Sequence, residues 1–276
     1  MQIHGHDIGV CSWSLQPRDM RDLVAKVKAL GLDHVQLSLI PLLNAEPNQR
    51  DAEIAVLRGS GLIVTAGMVG FAGEDYTSIA SIRKTGGYVP DARFEERRDF
   101  TLRAAKLCAE LGLKCFSTHA GFIPNSDSPD YEKIVKRLGQ VADSIAPFNV
   151  TLLLETGQET ASELLQYLND LTRKNVKVNF DPGNMILYGA GDPIDAIRIL
   201  GRHIGHVHLK DAVGSDQPQL KWGAEVPLGA GQVSPAKLLA ALESAGYKGP
   251  LVFEREAGET QARDIQAGIE ALRAAG

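Results

Sequence analysis

Four ionisable side chains stand at the ends of short apolar segments in the second half of the sequence. Glu155 ends "LLLE", Asp181 follows "VNF", His208 lies in "HVHLKD" and Glu254 follows "LVF". If these segments are neighbouring buried strands, three carboxylates and one imidazole share a small, poorly solvated volume and repel one another. A divalent cation would offset both problems. Hard oxygen donors with one imidazole suit Mn²⁺ best; Mg²⁺ and Co²⁺ are compatible with this set, and Zn²⁺ fits it less well.

Each of these residues also has an ordinary structural interpretation. A Glu at a strand end often pairs with a cation in a loop. An Asp before Pro is a common turn residue, because its side chain bonds to nearby backbone. The corresponding placement of all four residues on successive segments favours the shared metal site.

The segment "HVHLKD" contains a second imidazole and an ammonium group. Side chains alternate across a strand, so His206, His208 and Lys210 face the same side. His208 lies nearer the strand end and is the predicted ligand. His206 lies two residues deeper, where it is expected to pack in the interior or to support the site as a hydrogen-bond donor.

Short β-rich segments alternate with amphipathic segments along the chain. The predicted strands are 8–14, 34–39, 62–70, 114–120, 151–156, 176–181, 206–211 and 250–256. The predicted helices include 18–30, 94–111, 130–146, 160–173, 193–202, 234–245 and 260–274. Eight strands that alternate with helical segments predict an α/β fold, a (β/α)8 TIM barrel whose strand ends meet at the catalytic mouth. A doubly wound open sheet is the alternative, but no GxGxxG follows the first strand.

No linker or low-complexity segment interrupts this alternation, so residues 1–276 are interpreted as one TIM-barrel domain. Ser234 and Pro235 predict the start of one helix, as N-cap and first helical residue. Two connections, 71–93 and 212–233, are longer than ordinary loops. Loops that follow strands lie on the catalytic face of a barrel, so both are expected to act as lids.

The composition limits the classes of function. The net charge of −5 argues against a nucleic-acid partner. Cys11, Cys108 and Cys115 form an odd, scattered set without a CxxC motif, which is typical of reduced thiols in a cytoplasmic protein. The N-terminus has no secretion signal, and no segment reaches the ~18 apolar residues of a membrane span. We expect a cytoplasmic protein without a membrane partner, and a homodimer or homotetramer is compatible with the sequence.

The segments "LLLET", "NFDPGNM", "HVHLKD" and "LVFEREAG" resemble, in this order, those of the sugar phosphate isomerase/epimerase family. These proteins are xylose-isomerase-like barrels, among them D-tagatose 3-epimerase and hydroxypyruvate isomerase, and the resemblance extends over nearly the whole chain. It implies that Glu155 and Glu254 are both metal ligands and catalytic acid–base groups. It also implies a carbohydrate substrate, whose proton next to a carbonyl is moved through a metal-stabilised enediolate.

The sequence departs from the ketose 3-epimerases at positions that would contact the substrate. Asn184 stands where those enzymes carry a His, Gly214 where they carry an Arg, and Ala161 where they carry a Glu. The resemblance therefore extends to the metal ligands and not to the specificity pocket.

Other side chains are expected at the mouth. Trp13 ends the first strand and could stack on a sugar face or pack in the core. His119 ends the fourth strand, where it would point into the mouth or bond to a loop carbonyl. Lys210 could bind a substrate oxygen or an anionic group, or pair with a carboxylate. Trp222 and Glu225 lie in the long loop 212–233 and are expected to cover the site.

Asn184 completes this set of candidate substrate contacts. Gly229 and Gly231, in the same loop as Trp222, are candidate positions for close approach of a phosphate, although loop flexibility explains them equally well.

Four functions are compatible with these residues. The first is a metal-dependent sugar isomerase or epimerase. The second is a lyase or dehydratase on a keto-sugar or keto-inositol, in which His119 or Lys210 would be the added acid. A DNA-repair nuclease would need more His ligands and a basic face, and a non-catalytic sugar-binding barrel rarely needs a metal flanked by two glutamates.

Overall fold

Eight parallel strands close into a barrel in the computed structural model, which describes residues 1–275. The strands of the main sheet are β1 (Gln2–Ile3), β2 (His6–Cys11), β3 (His34–Ser38), β4 (Ile63–Met68), β5 (Cys115–Thr118), β6 (Thr151–Glu155), β7 (Val176–Phe180), β8 (Ile204–Leu209) and β11 (Leu251–Phe253). Their order is β1-β2-β11-β8-β7-β6-β5-β4-β3, and the pairing of β2 with β3 closes the barrel. Strand β1 is outside the barrel proper and pairs antiparallel with β2. The predicted (β/α)8 fold is confirmed.

Helices surround this barrel. They are α1 (Met20–Ala29), α2 (Ile40–Asn44), α3 (Pro47–Gly59), α4 (Ile79–Thr85), α5 (Phe94–Leu111), α6 (Tyr131–Ile145), α7 (Ala161–Leu171), α8 (Pro182–Tyr188), α9 (Pro193–Leu200), α10 (Pro235–Ser244) and α11 (Gln261–Arg273). Among the described residues, no helix combines the length and the apolar character needed to cross a bilayer.

The local sequence explains where several helices begin and end. Thr160 and Glu163 form a capping box at the start of α7, in which each side chain bonds to the backbone of the other. Ser234 caps α10 and Pro235 is its first residue, as predicted. Gly112 follows α5 with φ +76, a conformation that favours glycine.

Most barrel strands are buried on both faces, because side chains fill the barrel on one side and helices cover the other; β4, whose Ile63 is exposed, is an exception. In β6, for example, every residue after Thr151 is buried. This double burial accounts for the continuous apolar segments in the sequence.

The two long connections are more ordered than the sequence predicted. The connection 71–93 contains α4, which Ser78 caps by accepting a hydrogen bond from the Ser81 amide. The connection 212–233 folds back as an antiparallel pair, β9 (Asp211–Val213) and β10 (Ala224–Val226). These elements, and also the helices α2, α3 and α8, were not predicted from the sequence, because most of them are too short to show a clear helical or strand period.

A buried arginine anchors the connection 71–93 to the barrel wall. Arg97, on α5, donates hydrogen bonds to the carbonyl oxygens of Thr85 and Gly87, at 2.7 and 2.6 Å, and of Ala72, at 3.1 Å. Because these contacts span both ends of α4, the helix is held as a fixed rim of the mouth.

Candidate metal centre and active site

The four predicted ligands come together at the mouth. Glu155 ends β6, Asp181 follows β7, His208 lies in β8 and Glu254 follows β11, four strands that are neighbours in the barrel. One donor atom from each residue lies within 4.8 Å of the other three. His208 Nδ1 is at the centre, 3.2 Å from Glu155 Oε1, 3.2 Å from Asp181 Oδ2 and 3.3 Å from Glu254 Oε2.

The electrostatics of this cluster fit a divalent cation. All four residues are at least 95% buried. Burial raises the pKa of Asp181 to about 7. Burial lowers the pKa of His208, but the surrounding acidic groups raise it well above its ordinary value. A proton on the imidazole thus occupies the place where the donor set would hold a cation, and Glu155 Oε2 is buried without a hydrogen-bond partner.

The other face of the His208 ring determines which nitrogen is available. His208 Nε2 lies 2.6 Å from Gln36 Oε1. The Gln36 amide nitrogen in turn donates to Ser117 Oγ at 2.8 Å and to the carbonyl of Gly67 at 3.3 Å. The carbonyl oxygen of Gly67 can only accept a hydrogen bond, so the group of Gln36 that faces it must be the amide nitrogen. The amide oxygen of Gln36 therefore faces the imidazole ring. Nε2 therefore carries a hydrogen, and Nδ1 is the nitrogen that would bind a metal in place of its own proton.

Gln36 was missed in the sequence analysis. Its signal was a polar amide in the predicted strand "HVQLSL", at a position that the structure buries completely. A Gln in such a place needs partners for both ends of its amide, and here one of them is a candidate metal ligand.

His206 lies outside the four-residue cluster. Its Nδ1 is 2.8 Å from Asn179 Oδ1 and its Nε2 is 3.0 Å from Thr65 Oγ1. Burial holds the pKa of His206 well below its ordinary value, so the ring is neutral. Asn179 also approaches His208 Nε2, at 3.1 Å. His206 therefore forms part of a polar layer beneath the cluster, in agreement with its expected supporting position.

Glu155 and Glu254 have different surroundings. Asn184 Nδ2 lies 3.2 Å from Glu155 Oε1, and His119 Nε2 lies 3.4 Å from Glu155 Oε2. Both oxygens of Glu254 accept strong hydrogen bonds, Oε1 from Trp13 Nε1 at 2.7 Å and Oε2 from Lys210 Nζ at 2.9 Å. Glu155 therefore retains an oxygen without a hydrogen bond, whereas Glu254 does not.

Lys210 is enclosed by carboxylates. Its Nζ lies 2.9 Å from Glu254 Oε2 and 2.9 Å from Glu256 Oε2, with Glu225 at 3.8 Å and Asp181 at 4.0 Å. Burial opposes its charge, but Glu254 and Glu256 raise the pKa of Lys210 well above its ordinary value. Burial likewise opposes the charge of Glu254, but Lys210 and His208 hold the pKa of that carboxyl well below its ordinary value. Of the alternatives open for Lys210, the structure has the carboxylate pairing.

A cavity of about 680 Å³ opens above the cluster. The residues of its wall include all six predicted substrate contacts: Trp13, His119, Asn184, Lys210, Trp222 and Glu225. They also include Tyr76, Tyr188 and Glu256, which the sequence analysis did not single out. Tyr76 lies in the connection between β4 and α4, and Tyr188 is the last residue of the short helix α8. Neither stands at the end of a strand, so the sequence pattern did not indicate them.

Trp222 and Glu225, in the connection 212–233, have specific contacts. Trp222 packs edge-on against Tyr188, with ring centroids 4.6 Å apart. Glu225 Oε1 accepts hydrogen bonds from Arg255 Nη1 at 2.6 Å and from the Glu256 amide at 2.9 Å. Glu225 therefore ties the connection 212–233 to the segment after β11 besides lining the cavity.

Gly229 and Gly231 do not offer free amides to a phosphate. Both donate to Asp211 Oδ2 at 2.9 Å. The amides of Val233 and Ala212 donate to the other oxygen of the same carboxylate at 2.8 Å. The interpretation of these glycines as phosphate contacts is therefore wrong, because an internal carboxylate uses their hydrogen bonds.

Comparison with known proteins places this architecture among related barrels. A family model described as "Xylose isomerase-like TIM barrel" matches residues 24–275. The structure of a xylose isomerase domain protein from Planctomyces limnophilus has 31% sequence identity and a TM-score of 0.87, and the match covers 98% of this chain and 96% of that one.

Two further matches differ in the reaction that their descriptions give. A D-psicose 3-epimerase from Clostridium cellulolyticum H10, solved with D-tagatose, shares the fold at 19% identity and a TM-score of 0.72, over 98% of this chain and 99% of that one. An inosose dehydratase from Geobacillus thermodenitrificans is 24% identical over 160 residues, 51% of this chain and 52% of the relative. The match thus spans about half the length of that curated relative.

Proposed function

The chain belongs to the xylose isomerase-like TIM barrel family, and we propose that it is a divalent-metal-dependent isomerase or epimerase of a sugar or related ketone. The enzyme would remove the proton next to the carbonyl group and return it to the same or to the neighbouring carbon. Glu155, Asp181, His208 and Glu254 would hold the cation, and Mn²⁺ is the metal we favour for this donor set.

One observation carries this proposal. Glu155 and Glu254 stand at the two ends of the four-strand arc, with the Asp181 and His208 strands between them. Each glutamate has one oxygen next to His208 Nδ1, at 3.2 and 3.3 Å, and both residues line the cavity. A substrate in the cavity would therefore have a carboxylate on each side.

The reaction follows from the acidity of the substrate. A proton next to a ketone is a weak acid, and its removal leaves negative charge on the carbonyl oxygen. When bound, the cation would supply a positive charge that stabilises this oxygen.

The remaining work falls to the side chains of the chain itself. Glu155 Oε2 has no hydrogen-bond donor, so it is the proposed base. His119, 3.4 Å away, would orient this carboxylate and share its proton. Glu254 would return a proton from the opposite side, which inverts the carbon. Trp13, Asn184, Trp222 and Glu225 would line the bound carbohydrate.

A dehydratase is the second candidate, and the surroundings of Glu254 favour it. Both oxygens of Glu254 are hydrogen-bonded, by Trp13 and Lys210, so this residue is less free to deliver a proton. In a dehydration, Glu155 would take the proton from carbon, the electron pair would form the double bond, and the neighbouring hydroxyl would leave as water with a proton from His119 or Lys210. The inosose dehydratase relative is in keeping with this alternative.

Product analysis in D₂O tests the proposal and separates the two candidates. The Mn²⁺-loaded protein is incubated with a panel of ketoses and keto-inositols. An isomerase or epimerase gives deuterium next to the carbonyl and an isomeric product whose mass differs from that of the substrate only by that label. A dehydratase gives a product that has lost water. Absence of both exchange and product across the panel, with the metal bound, would contradict both candidates.

A further inference from the structure

The wall of the active-site cavity is strongly acidic. Among residues 1–275, the cavity is lined by five glutamates and a single lysine, with no arginine. The glutamates are Glu74, Glu155, Glu225, Glu254 and Glu256. A bound divalent cation would balance only part of this charge, since Asp181 lies beside it as well. A phosphate or carboxylate group on the substrate would therefore be repelled by the negative charge of the cavity wall.

The one lysine cannot serve as an anion receptor. Two of the three N–H groups of Lys210 are directed to Glu254 and Glu256 at 2.9 Å, and Glu225 and Asp181 lie at 3.8 and 4.0 Å. Its side chain is 3% exposed. An incoming anion would have to displace a carboxylate that the lysine already holds.

The backbone amides of the lid after β8 are also committed. Barrel enzymes commonly bind phosphate with amides of the loops that follow the seventh and eighth strands. Here β8 is the seventh strand of the barrel, and the Gly229, Gly231 and Val233 amides all donate to the Asp211 carboxylate. Asp211 is fully buried, and a Cβ on Gly231 would lie 2.4 Å from its Oδ1. The side chain thus fills the position that a phosphate would need.

The rest of the wall suits an uncharged, hydroxyl-rich molecule. Trp13, Tyr76, Tyr188 and Trp222 line the cavity. Their rings can pack against the C–H groups of a sugar or cyclic polyol. Exposed carboxylates such as that of Glu256, 55% exposed, accept hydrogen bonds from hydroxyl groups.

We propose that this site accepts an uncharged polyhydroxy ketone and rejects its phosphorylated and carboxylated counterparts. The inference rests on the proposed function for the identity of the site, and it adds the class of substrate. It follows from the excess of glutamates, the pairing of Lys210 and the occupation of the lid amides by Asp211.

Matched ligands that differ in one group provide the test. D-fructose, D-fructose 6-phosphate and D-fructuronate differ at one carbon, and dihydroxyacetone and myo-inositol can be compared with their monophosphates. Binding of each to the Mn²⁺-loaded protein is measured by calorimetry, and deuterium uptake from D₂O is followed for the ketones. In at least one series, the neutral member should bind at least ~10-fold more tightly than its anionic counterparts.

Two variants test the electrostatic cause. Glu256→Gln removes one carboxylate from the wall and weakens the hold on Lys210, so the ratio of neutral to anionic affinity should fall at least about threefold. Glu259→Gln removes an exposed carboxylate from the same segment that does not line this cavity, and should leave the ratio unchanged.

Each outcome is decisive. Tighter binding of a phosphorylated or carboxylated member, or no binding of any neutral member, would overturn the inference. An unchanged ratio in Glu256→Gln would overturn it as well. If neutral members bind selectively but neither exchange nor product is seen, the class of ligand stands and the proposed reaction is wrong.

Discussion

His208 and Gln36 form a short hydrogen bond, 2.6 Å between Nε2 and Oε1, beneath the candidate metal centre. Gln36 is itself held by Ser117 and by the carbonyl of Gly67. This contact joins β3 to β8 across the interior of the barrel. It fixes the orientation of the imidazole, so that Nδ1 faces the three carboxylates before a metal arrives.

Replacing Gln36 by Leu should therefore weaken metal binding by roughly 10–100-fold, as expected for the loss of a partner that orients a ligand. Calorimetric titration of the metal-free protein with Mn²⁺ measures the affinity. The shift of the His208 Nε2–H group in the metal-free protein should also change, because this hydrogen loses its acceptor. Gln36→Glu, which keeps an acceptor next to the ring, is the comparison. Unchanged affinity and shifts in Gln36→Leu would mean that Gln36 only fills space.

Three of the four proposed ligands are compared here with His206, and they should behave differently from it. Glu155→Gln, Asp181→Asn and His208→Ala should each weaken Mn²⁺ binding by more than the roughly 10–100-fold expected for an outer partner. His206→Ala should stay within that range, because the ring contacts Asn179 and Thr65 rather than the cluster. Metal content of the purified variants is the measurement. Loss of metal from His206→Ala, with retention in His208→Ala, would show that the wrong imidazole had been assigned.

The two glutamates should differ in their effect on proton exchange. With the substrate epimer whose proton faces Glu155, Glu155→Gln should slow the uptake of deuterium next to the carbonyl by roughly 10²–10⁴-fold, because it removes the oxygen that is free to act as a base. In an epimerase, both Glu155→Gln and Glu254→Gln should abolish turnover. Each variant should still exchange the proton of one substrate epimer through its remaining glutamate, and this epimer should differ between the two variants. Rates are compared only at equal metal occupancy. Full exchange by Glu254→Gln with either epimer would favour the dehydratase.

The ammonium group of Lys210 should be important for stability in the metal-free protein. Lys210→Met leaves Glu254 and Glu256 without their buried partner, so the free energy of unfolding should fall by about 3–5 kcal/mol. Lys133→Met removes a lysine that is 40% exposed and pairs with Asp91 and Asp130, and should cost less than about 1 kcal/mol. Urea denaturation of both variants tests this. Equal losses would mean that the carboxylates around Lys210 are compensated by other groups.

Glu159 should make stability depend on pH. Burial raises the pKa of Glu159 from its ordinary 4.5 to about 7, even though the Ile123 amide donates to it. The folded state therefore holds a proton that the unfolded state loses first, so this contribution to stability is complete below pH ~4.5 and is lost as pH rises through ~7. Glu159→Gln should be more stable than the parent protein by about 1–3 kcal/mol at pH 8, and by less at pH 5.

The control for this experiment is Glu132→Gln, which changes an exposed carboxylate at the start of α6. Its unfolding free energy should follow that of the parent protein at both pH values. A constant difference between Glu159→Gln and the parent, at pH 5 and at pH 8, would show that the folded protein does not hold this proton.

The barrel could be predicted because each strand is an apolar segment bounded by recognisable turns. The four clustered residues could be predicted as well, because their positions at strand ends repeat from one strand to the next. Gln36 and Asn179 were missed, because a polar residue inside a strand gives no sign of which strand across the barrel it faces. The ion pair between Lys210 and Glu256 could not be predicted either, since it depends on two segments that are brought together only when the barrel closes.

The distribution of the four clustered residues along the chain bears on how the barrel assembles. All of them lie in or directly after strands β6, β7, β8 and β11. Trp13, which donates to Glu254, follows β2, and Gln36, which accepts from His208, lies in β3. A half-barrel that begins at β6 would thus carry a complete set of carboxylates and imidazole but lack the groups that orient them. Reassociation of two separately produced halves, split between β5 and β6, would be seen as a gain in affinity for the cation. The affinity for the cation would then report whether the two halves have joined.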